Sequence, residues 1–218
     1  ANEVDRNPGG SVRYQKIIIP LTTSKINYVL PLPPDTRNTG PAAVHLPDSF
    51  GVVTPFRYCE IEKCGYDITP DNIFQKTFTY YFDDNASSFT SSDSILNQVW
   101  DICKYSMKAT SFTGIYIDGD RERIPYEADA YINQLGHYYT DREYSMGRIS
   151  NEYFIYHPTW PTEWILHTVL MFYNDLMFTG NIESIAEYYD ELKFKTLTSL
   201  SREDGFISSK YLNEEIMR

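Results

Sequence analysis

The 218-residue sequence predicts two regions of different class, a β region up to about residue 90 and an all-α region after it. Three observations predict this division. Apolar and polar residues alternate in the first region, Pro and Gly interrupt it repeatedly, and from Ser91 onward apolar residues recur at steps of three and four. The length suits one large or two small domains. We therefore expect an antiparallel sheet followed by helical hairpins.

The strand-like alternation is clearest in residues 56–61 and 74–82. In the second stretch, aromatic side chains fall on one side of a period-two pattern and Gln75, Thr77 and Thr79 on the other. The aromatic side consists of Phe74, Phe78, Tyr80 and Phe82. Proline cannot donate a hydrogen bond to a neighbouring strand, so the proline-rich residues 31–41 predict a long loop.

Five helices are expected after residue 90. The first follows a Ser-Ser-Asp cap at residues 91–93, and the second has Pro125 in its first turn, where proline is well tolerated. The fourth should end at Gly180, because glycine is the usual residue just past a helix. The buried stripe expected on the second helix consists of Ala128, Tyr131, Ile132, Leu135 and Tyr139. The second to fifth helices are expected at about residues 125–140, 144–155, 161–179 and 182–199.

Composition excludes several classes of function. With 30 Asp and Glu against 19 Lys and Arg, the net charge is −11, whereas nucleic-acid-binding domains carry basic patches. No apolar run approaches the roughly 18 residues that a membrane span needs. The three cysteines lack zinc-ligand spacing, and we expect neither a metal nor a cofactor.

The chain is rich in aromatic residues, with 19 Tyr, 12 Phe and 3 Trp. Their rings can stack on the C–H groups of a sugar while the sugar hydroxyls bond to polar groups, so this composition favours a sugar ligand.

The segment that carries candidate chemistry is residues 118–129, the acidic segment, which holds five acids and two arginines. Neighbouring carboxylates and burial raise the pKa of a carboxyl group, whereas an adjacent Arg lowers it. Glycoside hydrolysis needs carboxyl groups of both kinds. A protonated carboxyl gives its proton to the leaving oxygen, and an ionised carboxylate activates a water molecule or attacks the sugar itself. Glu122, Tyr126 and Asp129 would share one face of a helix that began near Glu122. The alternative is a salt-bridged loop at a helix N-terminus, where the helix dipole favours acids.

Calcium binding is a further alternative for the acidic segment. Asp118, Asp120, Glu122 and Asp129 stand at the first, third, fifth and twelfth positions of a twelve-residue loop. An EF-hand loop needs Gly at its sixth position, but Arg123 is found there. We therefore do not expect calcium.

The acidic segment is similar to the catalytic motif of glycoside hydrolase family 78, the α-L-rhamnosidases, which reads approximately Asp-Cys-Pro-Gln-Arg-Glu-Arg-x-Gly-Trp-x-x-Asp. Residues 56–60 resemble a strand of the β-sandwich that precedes the family's barrel, and residues 91–100 resemble its first barrel helix. The resemblance covers roughly residues 52–200. It implies an incomplete antiparallel β-sandwich in residues 1–90, followed in residues 91–218 by the N-terminal part of an (α/α)6 catalytic barrel.

The resemblance also implies roles for individual residues. Glu122 matches the general acid, while Tyr126 and Asp129 match an aromatic and an acidic residue of the sugar subsite. The segment is one residue shorter than the family motif, so Asp120 could take the role of Asp118, and Tyr126 stands where the family has Trp. The expected substrate-binding residues are Asp118, Asp120, Arg121, Tyr126, Asp129, Trp160 and Glu163.

By this resemblance the chain hydrolyses terminal α-L-rhamnosides with inversion and binds a rhamnose-containing glycan. The general base of such enzymes comes from later helices, so we expect it outside this chain and expect the 218 residues alone to be inactive. Two alternatives stay open, a non-catalytic carbohydrate-binding or scaffold role and a related toroid glycosidase for another sugar. Because polysaccharides lie outside the cytoplasm, a periplasmic or secreted location is expected.

Overall fold

The computed structural model describes residues 4–9, 13–25 and 27–211, and its regular elements are helices. Six of them are α-helices: α1 (Ser94–Thr110), α2 (Glu127–Thr140), α3 (Ser145–Tyr156), α4 (Ile165–Thr179), α5 (Glu183–Glu187) and α6 (Tyr189–Lys195). The others are short 3-10 turns at Asp48–Phe50, Pro70–Asn72, Ser111–Thr113, Thr162–Trp164, Thr198–Leu200 and Ser209–Tyr211. No helix in the described ranges has both the length and the apolar character needed to cross a bilayer.

The predicted β-sandwich in residues 1–90 is wrong. Within the described part of this region, the regular elements are two 3-10 turns, and no residue belongs to a β-strand. Phe74, expected on the covered side of a strand, is 88% exposed. Alternation gives a segment an apolar side, but a strand also needs a neighbour that pairs with its N–H and C=O groups. The described segments form no such ladder. Residues 1–3, 10–12 and 26 of the predicted sandwich lie outside the described residues.

The helices of the second region are confirmed close to their expected positions. Asp93 caps α1, because its carboxylate accepts the Ile95 N–H at 2.8 Å. Gly180 ends α4 in the left-handed conformation, with φ 71°, and donates its N–H to the Leu176 carbonyl at 2.7 Å. The expected fifth helix is divided at Tyr188 into α5 and α6. The domain boundary near residue 90 stays a prediction.

The core lies where α4 packs against α2, α3 and α6. Its largest cluster consists of Tyr116, Ala130, Met146, Phe154 and Met171. By contrast, α1 contains no buried residue.

The expected apolar stripe of α2 is wrong at two of its five positions, since Ile132 is 68% and Tyr139 65% exposed, whereas Tyr131 packs against the core. The buried face of this helix instead carries Glu127, Gln134 and His137. Other elements supply at least one hydrogen-bond partner to each of these residues. The His137 Nδ1 lies 2.7 Å from the Tyr116 hydroxyl, and Gln134 donates to Asn151 on α3 at 3.2 Å.

Candidate active site

The acidic segment forms a closed loop before it enters α2. The Asp118 N–H donates to the Ile124 carbonyl at 3.0 Å, and the Ile124 N–H donates to the Asp118 carboxylate at 2.9 Å. Inside this pair, the Arg123 N–H donates to the Gly119 carbonyl at 2.9 Å. Because α2 begins only at Glu127, Glu122 lies on the loop and not on the helix face considered from the sequence.

Arg123 holds the loop from its buried side. Its guanidinium donates to the Asp120 carboxylate from Nε at 3.0 Å and from Nη2 at 2.7 Å, and Nη2 also donates to the Val53 carbonyl at 2.6 Å. The residue adopts a left-handed backbone conformation, with φ 57°. Such a conformation costs a non-glycine residue about 1–2 kcal/mol, so these hydrogen bonds help to maintain it. The Asp120 carboxylate, expected to bind substrate, is therefore engaged with Arg123; its predicted role stays a prediction.

Three carboxylates and one phenol form what we call the carboxylate cluster, made of Asp118, Glu122, Tyr126 and Asp129. Burial raises the pKa of Asp118, and the negative charges of Glu122 and Asp129 add to this effect, while the hydrogen bond from Ile124 opposes it. Burial also raises the pKa of Tyr126, followed by the charges of the three carboxylates. Asp118 therefore retains a proton more readily than a free aspartate does.

Glu122 is the acid of the cluster that forms an ion pair with a neighbouring side chain. Its side chain is 32% exposed and forms an ion pair with Arg121, whose side chain is 58% exposed. An exposed pair of this kind contributes only about 0–1 kcal/mol. A bound ligand could therefore displace Arg121 from Glu122 at little energetic cost.

Aromatic rings extend from the cluster. Tyr126 meets Trp164 edge to face, with ring centroids 5.7 Å apart, and Trp164 lies 6.3 Å from Trp160. Trp160 is 82% exposed, so its ring is open to a ligand. Glu163 is exposed, and within the described residues no side-chain hydrogen bond or ion pair links it to the cluster. Trp160 and Glu163 stay predicted substrate contacts.

Glu127 was not singled out from the sequence, although it is fully buried beside the cluster. One carboxylate oxygen accepts the Thr159 N–H at 2.9 Å, and the other accepts the Thr159 hydroxyl. Thr159 directly precedes Trp160, so this contact ties the aromatic segment to the first turn of α2.

Glu127 also affects Lys195 on α6. Burial lowers the pKa of Lys195, and the negative charge of Glu127 partly offsets that shift. An acid in a first helical turn is ordinarily explained by the helix dipole, and the sequence carries no signal for a partner 32 residues away.

The calcium alternative is not supported by the positions of these side chains. In the part of the chain that the structure describes, no three His, Cys, Asp or Glu residues are grouped so that they could hold a metal ion.

A cavity of about 130 Å³ lies beside the acidic segment, and Arg123 is the residue of that segment that lines it. Its other polar lining residues include Asp35, Asn38 and His45. Since Asp118, Glu122 and Asp129 do not line this cavity, it is separate from the carboxylate cluster.

The family model of the bacterial α-L-rhamnosidase six-hairpin glycosidase domain matches residues 84–212. This range is more than half of the chain and includes α1 to α6 and the whole acidic segment. No curated protein and no solved structure matches the chain.

Proposed function

The chain belongs to the bacterial α-L-rhamnosidase six-hairpin glycosidase domain family, and we propose that it takes part in inverting hydrolysis of terminal α-L-rhamnosides with Glu122 as the general acid. A glycosidase domain of this family implies a glycan substrate. The observation that supports the assignment of the acid is the carboxylate cluster, in which the negative charges of Asp118, Glu122 and Asp129 all act on the Tyr126 hydroxyl.

Among the acids of this segment, we propose Glu122 as the proton donor because its carboxylate is the least engaged with the loop itself. The Asp118 carboxylate accepts the Ile124 N–H, and the Asp120 carboxylate accepts two bonds from Arg123. The Glu122 carboxylate pairs with the exposed Arg121 side chain and also interacts with the Tyr126 hydroxyl. We propose that its proton passes to the glycosidic oxygen as the bond to the anomeric carbon breaks through an oxocarbenium-like state.

The second half of the reaction needs a second carboxylate. In an inverting enzyme, a general base removes a proton from the water that attacks the opposite face of the sugar, and it stands about 6.5–9.5 Å from the acid. We propose that later helices of the full-length protein supply this base. Residues 1–218 alone should then bind sugar but not turn over an aryl α-L-rhamnoside. Normal turnover by these residues would place the base within them.

The acid is tested by Glu122→Gln in the full-length protein, with Glu203→Gln on the exposed surface as the control. General acid catalysis contributes about 10²–10⁴-fold, so kcat for a rhamnoside with a poor leaving group should fall by at least about a hundredfold. An aryl substrate whose leaving group needs no proton should lose far less. Equal activity of Glu122→Gln and wild type on the poor leaving group would assign the acid to another residue.

A second candidate is a glycosidase of the same family with a different sugar preference. The observation in its favour is Tyr126, which lies in the cluster where the family motif has Trp and adds a hydroxyl beside the carboxylates. A panel of aryl glycosides distinguishes the two candidates, because the first requires preference for α-L-rhamnose. Binding of rhamnose without turnover by the full-length protein would instead favour a carbohydrate-binding role. A periplasmic or secreted location is part of the proposal, and cell fractionation tests it.

A further inference from the structure

Residues 34–53, which we call the brace segment, cross the acidic segment and bond to it at three places. The Asn38 side chain donates to the Asp120 carbonyl at 2.8 Å, and the Val44 N–H donates to the Arg123 carbonyl at 2.8 Å. In the third contact, the Arg123 guanidinium donates to the Val53 carbonyl at 2.6 Å. The Asn38–Asp120 contact joins residues 82 apart in the chain, and the Arg123–Val53 contact joins residues 70 apart. These contacts therefore stabilise tertiary and not local structure.

The bonded groups stand on both sides of Glu122 in the chain. Asp120 lies two residues before it and Arg123 directly after it, and their side chains are also bonded to each other. Asn38 is 5% and Arg123 7% exposed, so water competes little for these bonds. The brace segment therefore constrains both ends of the short turn from which the Glu122 side chain projects.

Adjacent side chains of this turn meet opposite environments. The Arg123 side chain is 8% exposed and contacts the Phe112 ring, with 5.2 Å between the guanidinium carbon and the ring centroid. The Glu122 side chain is 32% exposed and lies with the carboxylate cluster. The left-handed backbone of Arg123 produces the reversal between the two. Without its contacts to Asn38 and Val53, the turn would be free to change conformation, and the orientation of the Glu122 side chain would no longer be fixed.

We infer that the brace segment orients the general acid, with Asn38 and Arg123 as positioning residues, an inference that rests on the proposed function of Glu122. Neither side chain contacts the Glu122 carboxylate; both act through the backbone of residues 120–123. Their loss should therefore weaken proton transfer to the leaving group, because a misplacement of about 1 Å can slow such a step by about a hundredfold. Binding of the sugar through the aromatic rings should change little.

The test uses the full-length protein carrying Asn38→Ala or Arg123→Lys, with Asn85→Ala and Arg202→Lys as exposed controls of the same residue types. kcat and KM are measured for aryl α-L-rhamnosides with a series of leaving groups, from dinitrophenol to unsubstituted phenol. For the phenyl substrate, each positioning variant should lower kcat roughly tenfold or more, a part of the full general-acid contribution. kcat for the dinitrophenyl substrate and KM for both should stay within about twofold, because that phenol leaves without a proton.

Amide hydrogen exchange gives a second measurement that does not depend on turnover. Exchange in residues 119–124 should accelerate in Asn38→Ala and not in Asn85→Ala, whereas exchange in α3 and α4 should be unchanged. If Asn38→Ala lowers kcat equally for all leaving groups, or changes neither kcat nor exchange, the positioning role is overturned. If Arg123→Lys does not fold, Asn38→Ala decides between these outcomes.

Failure of the proposed function has a different signature. In that case Glu122→Gln keeps full activity on phenyl α-L-rhamnoside, which removes the acid that the brace segment is inferred to position. Failure of this inference alone leaves Glu122→Gln inactive on that substrate while Asn38→Ala behaves as Asn85→Ala.

Discussion

Replacement of Glu127 by Ala tests how the aromatic segment is held against α2. The Glu127 carboxylate is fully buried and accepts both the N–H and the hydroxyl of Thr159. A hydrogen bond to a charged group contributes about 1.5–3 kcal/mol, which gives about 3–6 kcal/mol for two such bonds. Thr159 is only half-buried, so water can reach part of the freed groups, and we expect a loss of about 3 kcal/mol.

Thermal unfolding is the assay. For a chain of this size, 1 kcal/mol corresponds to about 2–4 °C, so Glu127→Ala should lower Tm by about 6–12 °C. Glu127→Gln keeps one acceptor oxygen and should lose roughly half as much. Glu203→Ala, on the exposed surface, is the matched control. A Tm of Glu127→Ala within about 2 °C of that control would contradict the reasoning, because it would mean that Thr159 is held by other contacts.

A double-mutant cycle isolates the contact. Thr159→Val removes the hydroxyl bond but keeps the N–H, so it should cost about half of Glu127→Ala. Because the carboxylate is the shared partner, adding Thr159→Val to Glu127→Ala should lower stability little further. Full additivity of the two losses would show that the residues act independently.

Two further predictions concern the interior of the helical domain. Gly147→Ala would place a methyl group 2.8 Å from Cζ of the buried Tyr138 ring, which should cost about 1–3 kcal/mol by chemical denaturation; Gly136→Ala meets a flexible methionine side chain and should cost less. Burial lowers the pKa of His137 below its ordinary 6.5, although the negative charges of two neighbouring acids oppose this shift. The histidine therefore binds a proton more readily in the unfolded chain than in the folded one, and Tm should fall as the pH drops from 7.5 to 5.5. His137→Gln should make this fall smaller; if the fall is unchanged, other groups cause it.

Local signals predicted the helices well. The cap at Asp93 and the stop at Gly180 each depend on a few neighbouring residues, and the structure confirms both. The β-sandwich was wrong because alternation describes one segment, whereas a sheet requires pairing between segments that composition does not specify. The predicted buried face of α2 was wrong in part, for a related reason. Gln134 and His137 are buried because Asn151 and Tyr116 supply partners from elsewhere in the chain.

The candidate site shows the same division between local and distant information. The spacing of Glu122, Tyr126 and Asp129 predicted one shared helix face, but α2 begins only at Glu127, so Glu122 lies on the loop before it. The charges of both acids still act on the Tyr126 hydroxyl, and the predicted roles of these residues stay predictions. The importance of Arg123 and Glu127 could not be predicted, because their partners Val53 and Thr159 are 70 and 32 residues away. In a sequence both look like ordinary charges beside a helix start.

The polar interior also has a consequence for the orientation of the helices. Tyr138 on α2 donates to Asp175 on α4 at 2.8 Å, and Arg148 on α3 reaches the same carboxylate at 3.2 Å. Apolar contacts tolerate rotation of a helix about its long axis, whereas hydrogen bonds depend on angle and are lost when a helix turns. Asp175 therefore sets the angular position of three helices at once, and with it the direction in which α2 presents Tyr126 at its start.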